Sequence, residues 1–138
     1  MIVFNVYGEP APQGSKRHVG NGVMIESSKK VRPWRQDVVA AARAAMGDAP
    51  AMDGPLFVEM FFTLHKPASA PKRTRAWPSK KPDLDKLIRS TSDALVTAGA
   101  IVDDARIVSL TATKLYVGDK GALASPGAEI MAREMDVS

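Results

Sequence analysis

Residues 83–117 read DLDKLIRSTSDALVTAGAIVDDARIVSLTATKLYV. The hydrophobic period changes within this stretch, and that change decides the fold class. In the first half Leu84, Leu87, Ile88, Thr91 and Leu95 fall at i, i+3, i+4, i+7 and i+11, one face of an α-helix. Pro82 breaks the chain before them, Asp83 stands at the capping position and Gly99 follows. The spacing predicts a helix over 83–98. In the second half, residues 106–117 alternate and are rich in β-branched side chains, which predicts a strand.

Working outward, PLFVEMFFTLH at 55–65 is an apolar run of strand length and reads as a central strand. Between it and the helix lies KPASAPKRTRAWPSKKP at 66–82, with four prolines, six Lys or Arg and no acid. Such a segment cannot bury a core, so an exposed, mobile basic loop is expected. Further upstream, Trp34, Val38, Ala41 and Ala45 make one apolar face of a helix over 33–46, with Pro33 at its first position and Gly47 as its stop. Residues 2–7 alternate as a strand. Gly20-Asn21-Gly22 suggests a hairpin turn, and 127–134 a last strand. The order predicts a single α+β domain over 1–138, with two helices on one face of a mixed, largely antiparallel sheet.

The composition is that of an ordinary globular chain, 45% hydrophobic and 25% charged. Zero cysteines exclude disulfides, Cys-ligated zinc, iron–sulfur clusters and a Cys nucleophile, and two histidines exclude a His-rich metal site. No apolar run approaches the roughly 18 residues of a membrane span, and the N-terminus does not read as a signal peptide. A soluble cytoplasmic protein is expected. Charge is uneven: residues 1–82 carry net +7, and residues 83–138 net −3. A basic chain suggests a polyanionic partner.

Four carboxylates draw attention: Asp83 and Asp85 at the helix start, and Asp103 and Asp104 in the turn after it. Singly, each suits a cap or a turn. Together they differ, because two unit charges about 4 Å apart cost about 4 kcal/mol at an effective dielectric of 20. Carboxylates gathered that closely need a proton or a cation, and oxygen donors without His or Cys select Mg²⁺ or Mn²⁺. A divalent ion beside a positive surface suits phosphodiester hydrolysis. The basic loop ends at Lys80-Lys81-Pro82, where it would deliver a phosphate backbone to Asp83. Trp77 in that loop suits either stacking on an unpaired base or anchoring the loop.

These residues carry a resemblance. KPDLDKLIRSTSDAL, an Ala/Gly turn and IVDDARIVSLTATK resemble the RusA family of Holliday junction resolvases, over about residues 81–114. The family is common in phages and prophages. The resemblance implies a homodimeric, Mg²⁺-dependent endodeoxyribonuclease that binds four-way DNA junctions and places paired, symmetric nicks in the bacterial or phage-infected cell. By motif position, Asp83, Asp85 and Asp104 match the family's essential metal-binding acids, with Asp103 beside them. Arg89 stands where the family often has a catalytic lysine, and Lys86 where it often has Asn. Arg cannot usefully give up a proton but can stabilise phosphate charge bidentately. Lys114 is an assisting cation in this reading. Lys16, Arg17, Lys66, Lys72, Arg73, Arg75, Trp77, Lys80, Lys81 and Lys86 would meet DNA. Two rivals stand beside it: a non-catalytic branched-DNA-binding dimer that kept the fold, and an adaptor whose acids are only caps and turns.

Overall fold

The computed structural model describes residues 1–14, 16–18, 24–26 and 29–136. Strand β1 is Ile2–Tyr7, and β2 (Lys16–His18) pairs antiparallel with β3 (Met24–Glu26). Helix α1 is Val31–Met46, β4 is Leu56–Leu64 and α2 is Leu84–Thr97. A 3₁₀ turn at Asp104–Arg106 leads into β5 (Ile107–Tyr116), and β6 (Gly127–Glu134) ends the fold. The Gly20-Asn21-Gly22 turn and the side chains of Lys16 and Arg17 lie outside the described residues.

The main sheet has the order β1-β6-β4-β5. β6 runs antiparallel to both β1 and β4, while β4 and β5 are parallel. The crossover between the parallel pair carries the 66–82 segment and α2. Alternation from Leu56 to Phe62 gives the sheet a dry face: Leu56, Val58, Met60 and Phe62 are fully buried, while Phe57, Glu59 and Phe61 on the other face are only partly covered. From β6, Ala128, Ile130 and Ala132 join the same core. Both helices cover that face, α1 over β1 and α2 toward β5.

α1 begins two residues earlier than its sequence pattern suggested. Val31 is buried, which gives the first turn its own apolar contact. Pro33 therefore sits third in the helix, a position it tolerates because the first four N–H groups have no intrahelical acceptor. The buried row is Val31, Trp34, Val38, Ala42 and Met46, not the row through Ala41 and Ala45. Four-residue steps carry the stripe from Trp34 to Met46, whose larger side chain outweighs the choice among near-equivalent alanines.

Two buried hydrogen bonds fix α2. The indole N–H of Trp34 donates to Thr91 Oγ1 at 3.1 Å. The Ser90 hydroxyl donates to the Ala11 carbonyl at 2.7 Å. Each satisfies a polar group that would cost about 1–3 kcal/mol if left unpaired in the core. α2 ends in a Schellman motif: Ala100 N–H bonds the Leu95 carbonyl, Gly99 N–H bonds the Val96 carbonyl, and Gly99 holds φ 78°.

Candidate metal and nucleic-acid site

The expected acids fall into two groups. The first lies where the basic segment meets α2. Asp83 is the residue before the helix, but its side chain makes no cap hydrogen bond; its carboxylate lies 3.7 Å from Lys86 Nζ. Together with Lys30, Lys81, Lys86, Glu9 and Gln13 it borders a cleft of about 410 Å³. The Gln13 N–H donates to the Lys86 carbonyl at 3.0 Å, which ties the segment after β1 to the start of α2. Asp85 and Arg89 are exposed one turn apart on α2.

Lys114 has a different position from the one its charge alone suggests. It sits on β5 opposite Phe62 of β4. Its ammonium donates to the carbonyls of Lys80 at 2.9 Å and Pro82 at 2.8 Å. Two of its three donors are thereby committed to the backbone. It fastens the end of the basic segment to the sheet, just ahead of Asp83.

The second group lies in the turn before β5. Asp103 Oδ1 accepts from the Ala105 N–H at 3.2 Å, which closes the 3₁₀ turn. That bond, then the hydrogen bond with Asp104, holds the Asp103 carboxyl below the ordinary carboxylate value. Asp104 is pushed the other way. The hydrogen bond it shares with Asp103 is the main cause, followed by desolvation and the negative charges of Asp103 and Asp93. This is the behaviour of carboxyls that compete for one proton.

Asp93 thus belongs to the electrostatics of the turn, and it also meets Arg35 of α1 at 3.8 Å. The available signal was the four-residue spacing of Asp85, Arg89 and Asp93, which puts all three on one flank of α2. Lys30 and Gln13 gave no such signal, because only the tertiary fold brings them to the cleft.

A metal could use these groups in a limited way. Among the described residues, no three of His, Cys, Asp and Glu form a group able to hold a metal ion. The Asp103–Asp104 pair nevertheless has the right donor chemistry. It is all oxygen, and the mutual repulsion that raises Asp104 is what a bound cation would relieve. Mg²⁺ keeps several waters and commonly needs only one or two carboxylates.

Along 66–82 no helix or strand forms. Lys72, Arg73, Arg75, Lys80 and Lys81 are exposed, and Lys66 is half-buried. Trp77 is 58% exposed, and the Arg75 guanidinium lies 3.9 Å from its ring centroid. Its neighbour Pro78 is buried instead.

A cleft lined by three lysines and two acids, two adjacent carboxyls shifted in opposite directions and a proline-rich basic segment are thus all joined to one helix. The sequence profile of the family described as Endodeoxyribonuclease RusA matches residues 7–125. The chain belongs to that family. It is also 29% identical over 145 residues to the uncharacterized protein YqaN of Bacillus subtilis (strain 168), covering 97% of this chain and 96% of that one. Among the described residues no helix is long and apolar enough to cross a membrane.

Proposed function

We propose that the protein is a structure-specific endodeoxyribonuclease that resolves four-way DNA junctions by paired nicks, acting as a homodimer in the cytoplasm during recombination and repair. The observation that carries this reading is the RusA profile match over residues 7–125, in a chain whose adjacent Asp103 and Asp104 carboxyls are shifted in opposite directions just before β5. Asp103 and Asp104 are the carboxylates that would hold Mg²⁺, or Mn²⁺ in its place, while Asp83 and Asp85 lie in the other group and complete no three-carboxylate site with them among the described residues. When bound, the ion would supply Lewis acidity at a phosphoryl oxygen and a lowered pKa for water.

The chain's own residues do the rest. Lys81 and Lys86 draw a phosphate into the cleft beside Asp83, and Arg89 neutralises charge on the phosphorane with its planar fork. Lys66, Lys72, Arg73, Arg75 and Lys80 hold the backbone along the basic segment, with Lys16 and Arg17 adding to that charge. Trp77 keeps enough exposed ring to stack on a base. Lys114 positions the Lys80–Pro82 backbone.

Arg89 in place of the family's lysine favours the rival reading of a dimer that binds branched DNA without cutting it. A nicking assay on a synthetic four-way junction separates the two. Wild type in Mg²⁺ should give symmetric nicks. Asp85→Asn and Asp104→Asn should bind the junction yet fail to cut it. Binding without cleavage by wild type supports the rival, and near-wild-type nicking by both variants removes these acids from the mechanism. Absence of junction binding and of any Mg²⁺ effect supports the adaptor.

A further inference from the structure

A second and larger cleft, of about 820 Å³, runs between the outer flank of α1 and the later turns of α2. Lys29, Arg32, Arg35 and Arg43 stand along it, with Val39 and Ala94 among the small apolar residues that line it. Arg32, Arg35, Val39 and Arg43 fall at i, i+3, i+7 and i+11, so the three arginines form one stripe along the helix. The stripe is about 16 Å long at 1.5 Å per residue. Asp37 is the helix's single acid, and it faces Gly8 at the end of β1. Among the described residues Arg35 pairs with Asp93, and no carboxylate pairs with Lys29, Arg32 or Arg43.

We infer that this groove is a second DNA-backbone site, which holds another arm of a branched substrate while the 66–82 segment holds the first. The inference rests on the nuclease reading above. Three features select a phosphodiester backbone as the occupant. The charge is almost wholly positive, and three of the four cations are arginines, whose forked donors match phosphate oxygens. The stripe covers about five base-pair steps at ~3.4 Å each, so several phosphates can be met in series. The groove also reaches α2 itself, because Ala94 and Thr97 line it and Arg35 in it meets Asp93 at 3.8 Å. No residue of the 66–82 segment lines this groove, so the two basic surfaces are separate.

The test measures the salt dependence of junction binding by fluorescence anisotropy in EDTA, with the full-length protein. Four proteins are compared: wild type, Arg32→Gln/Arg35→Gln/Arg43→Gln, the double variant Arg32→Gln/Arg43→Gln, and Lys72→Ala/Arg73→Ala/Arg75→Ala. Each lost phosphate contact should lower the slope of log K against log salt by about 0.9, so the groove variant should lose about 2.7. The double variant Arg32→Gln/Arg43→Gln keeps the Arg35–Asp93 pair and should lose about 1.8. It guards against loss of helix packing, which circular dichroism reports. An unchanged slope in both groove variants, with a flattened slope in the segment variant, overturns the inference and leaves the nuclease reading standing. Wild type that binds no junction at all sinks that reading instead. Groove variants that bind junction normally but lose affinity for oligoglutamate would show an acidic protein as the occupant, and the inference fails.

Discussion

Replacing Lys114 with Met separates two roles that a lysine on a strand end could play. In the structure its ammonium holds two carbonyls, Lys80 at 2.9 Å and Pro82 at 2.8 Å. A hydrogen bond to a charged group contributes about 1.5–3 kcal/mol net, which sets an upper bound of about 6 kcal/mol for the pair. The bond to Lys80 is exposed and the bond to Pro82 is partly buried, so water replaces much of what is lost. Met also keeps most of the aliphatic stem that packs on the sheet face. A loss of about 2–3 kcal/mol is the expected result. For a domain of this size each kcal/mol moves the melting temperature by about 3–5 °C, so the variant should melt about 6–15 °C lower. With the Lys80–Pro82 backbone loosened, the cleft beside Asp83 loses its fixed edge, and KM for the junction should rise more than kcat falls. Calorimetry and steady-state nicking measure the two effects. A variant that melts like wild type while kcat collapses would refute the reasoning, since it would make Lys114 a participant in the chemistry.

Three further expectations rest on other parts of the fold. In metal-free protein, carboxyl NMR titration should find Asp104 titrating above Asp103, and Asp103→Asn should bring the Asp104 value down; no change would mean that the two carboxyls do not share a proton. The signs for stability are opposite: Asp104, with its raised value, favours the fold at low pH and loses that contribution as pH rises through it, whereas Asp103 contributes at neutral pH and loses it as pH falls through its lowered value. Gly99→Ala should cost about 1–2 kcal/mol in urea unfolding, from backbone strain at φ 78° alone, because nothing lies within 4 Å of an added Cβ. Trp34→Phe should cost about 1–3 kcal/mol, since it strands the buried Thr91 hydroxyl as well as leaving a void; a cost near zero would show that the indole bond is dispensable.

The reach of the sequence followed how strongly each residue constrains its neighbours. Leu84, Leu87, Ile88, Thr91 and Leu95 differ sharply in size and polarity from the residues between them, so α2 was placed within one residue at each end. The 127–134 strand was legible to the residue. The phase of α1 was not, because Ala40, Ala41 and Ala42 carry almost no hydrophobic contrast. At the site, the motif spacing marked Asp83, Asp85, Asp103 and Asp104 as a set. It could not show that Asp83 would meet Lys86 rather than cap the helix, or that Lys114 would reach across to the Lys80 and Pro82 carbonyls 34 and 32 residues earlier. The arginine groove depends on packing between α1 and α2, which no local pattern encodes.

The position of β6 has a consequence for how the protein is made. This last strand lies between the first strand and β4, pairing Ile2 with Ala132 and Met60 with Ile130. As the chain leaves the ribosome, β1 and β4 therefore have no shared neighbour until residues 127–134 have followed. The sheet's middle is installed last, by pairings that span almost the whole sequence, and such topologies fold slowly. Until then β1 and one side of β4 are open edges able to recruit strands from other chains. A nascent chain cut short before Gly127 would keep both edges open, whereas the finished strand closes them in one step and completes the surface on which α1 and α2 rest.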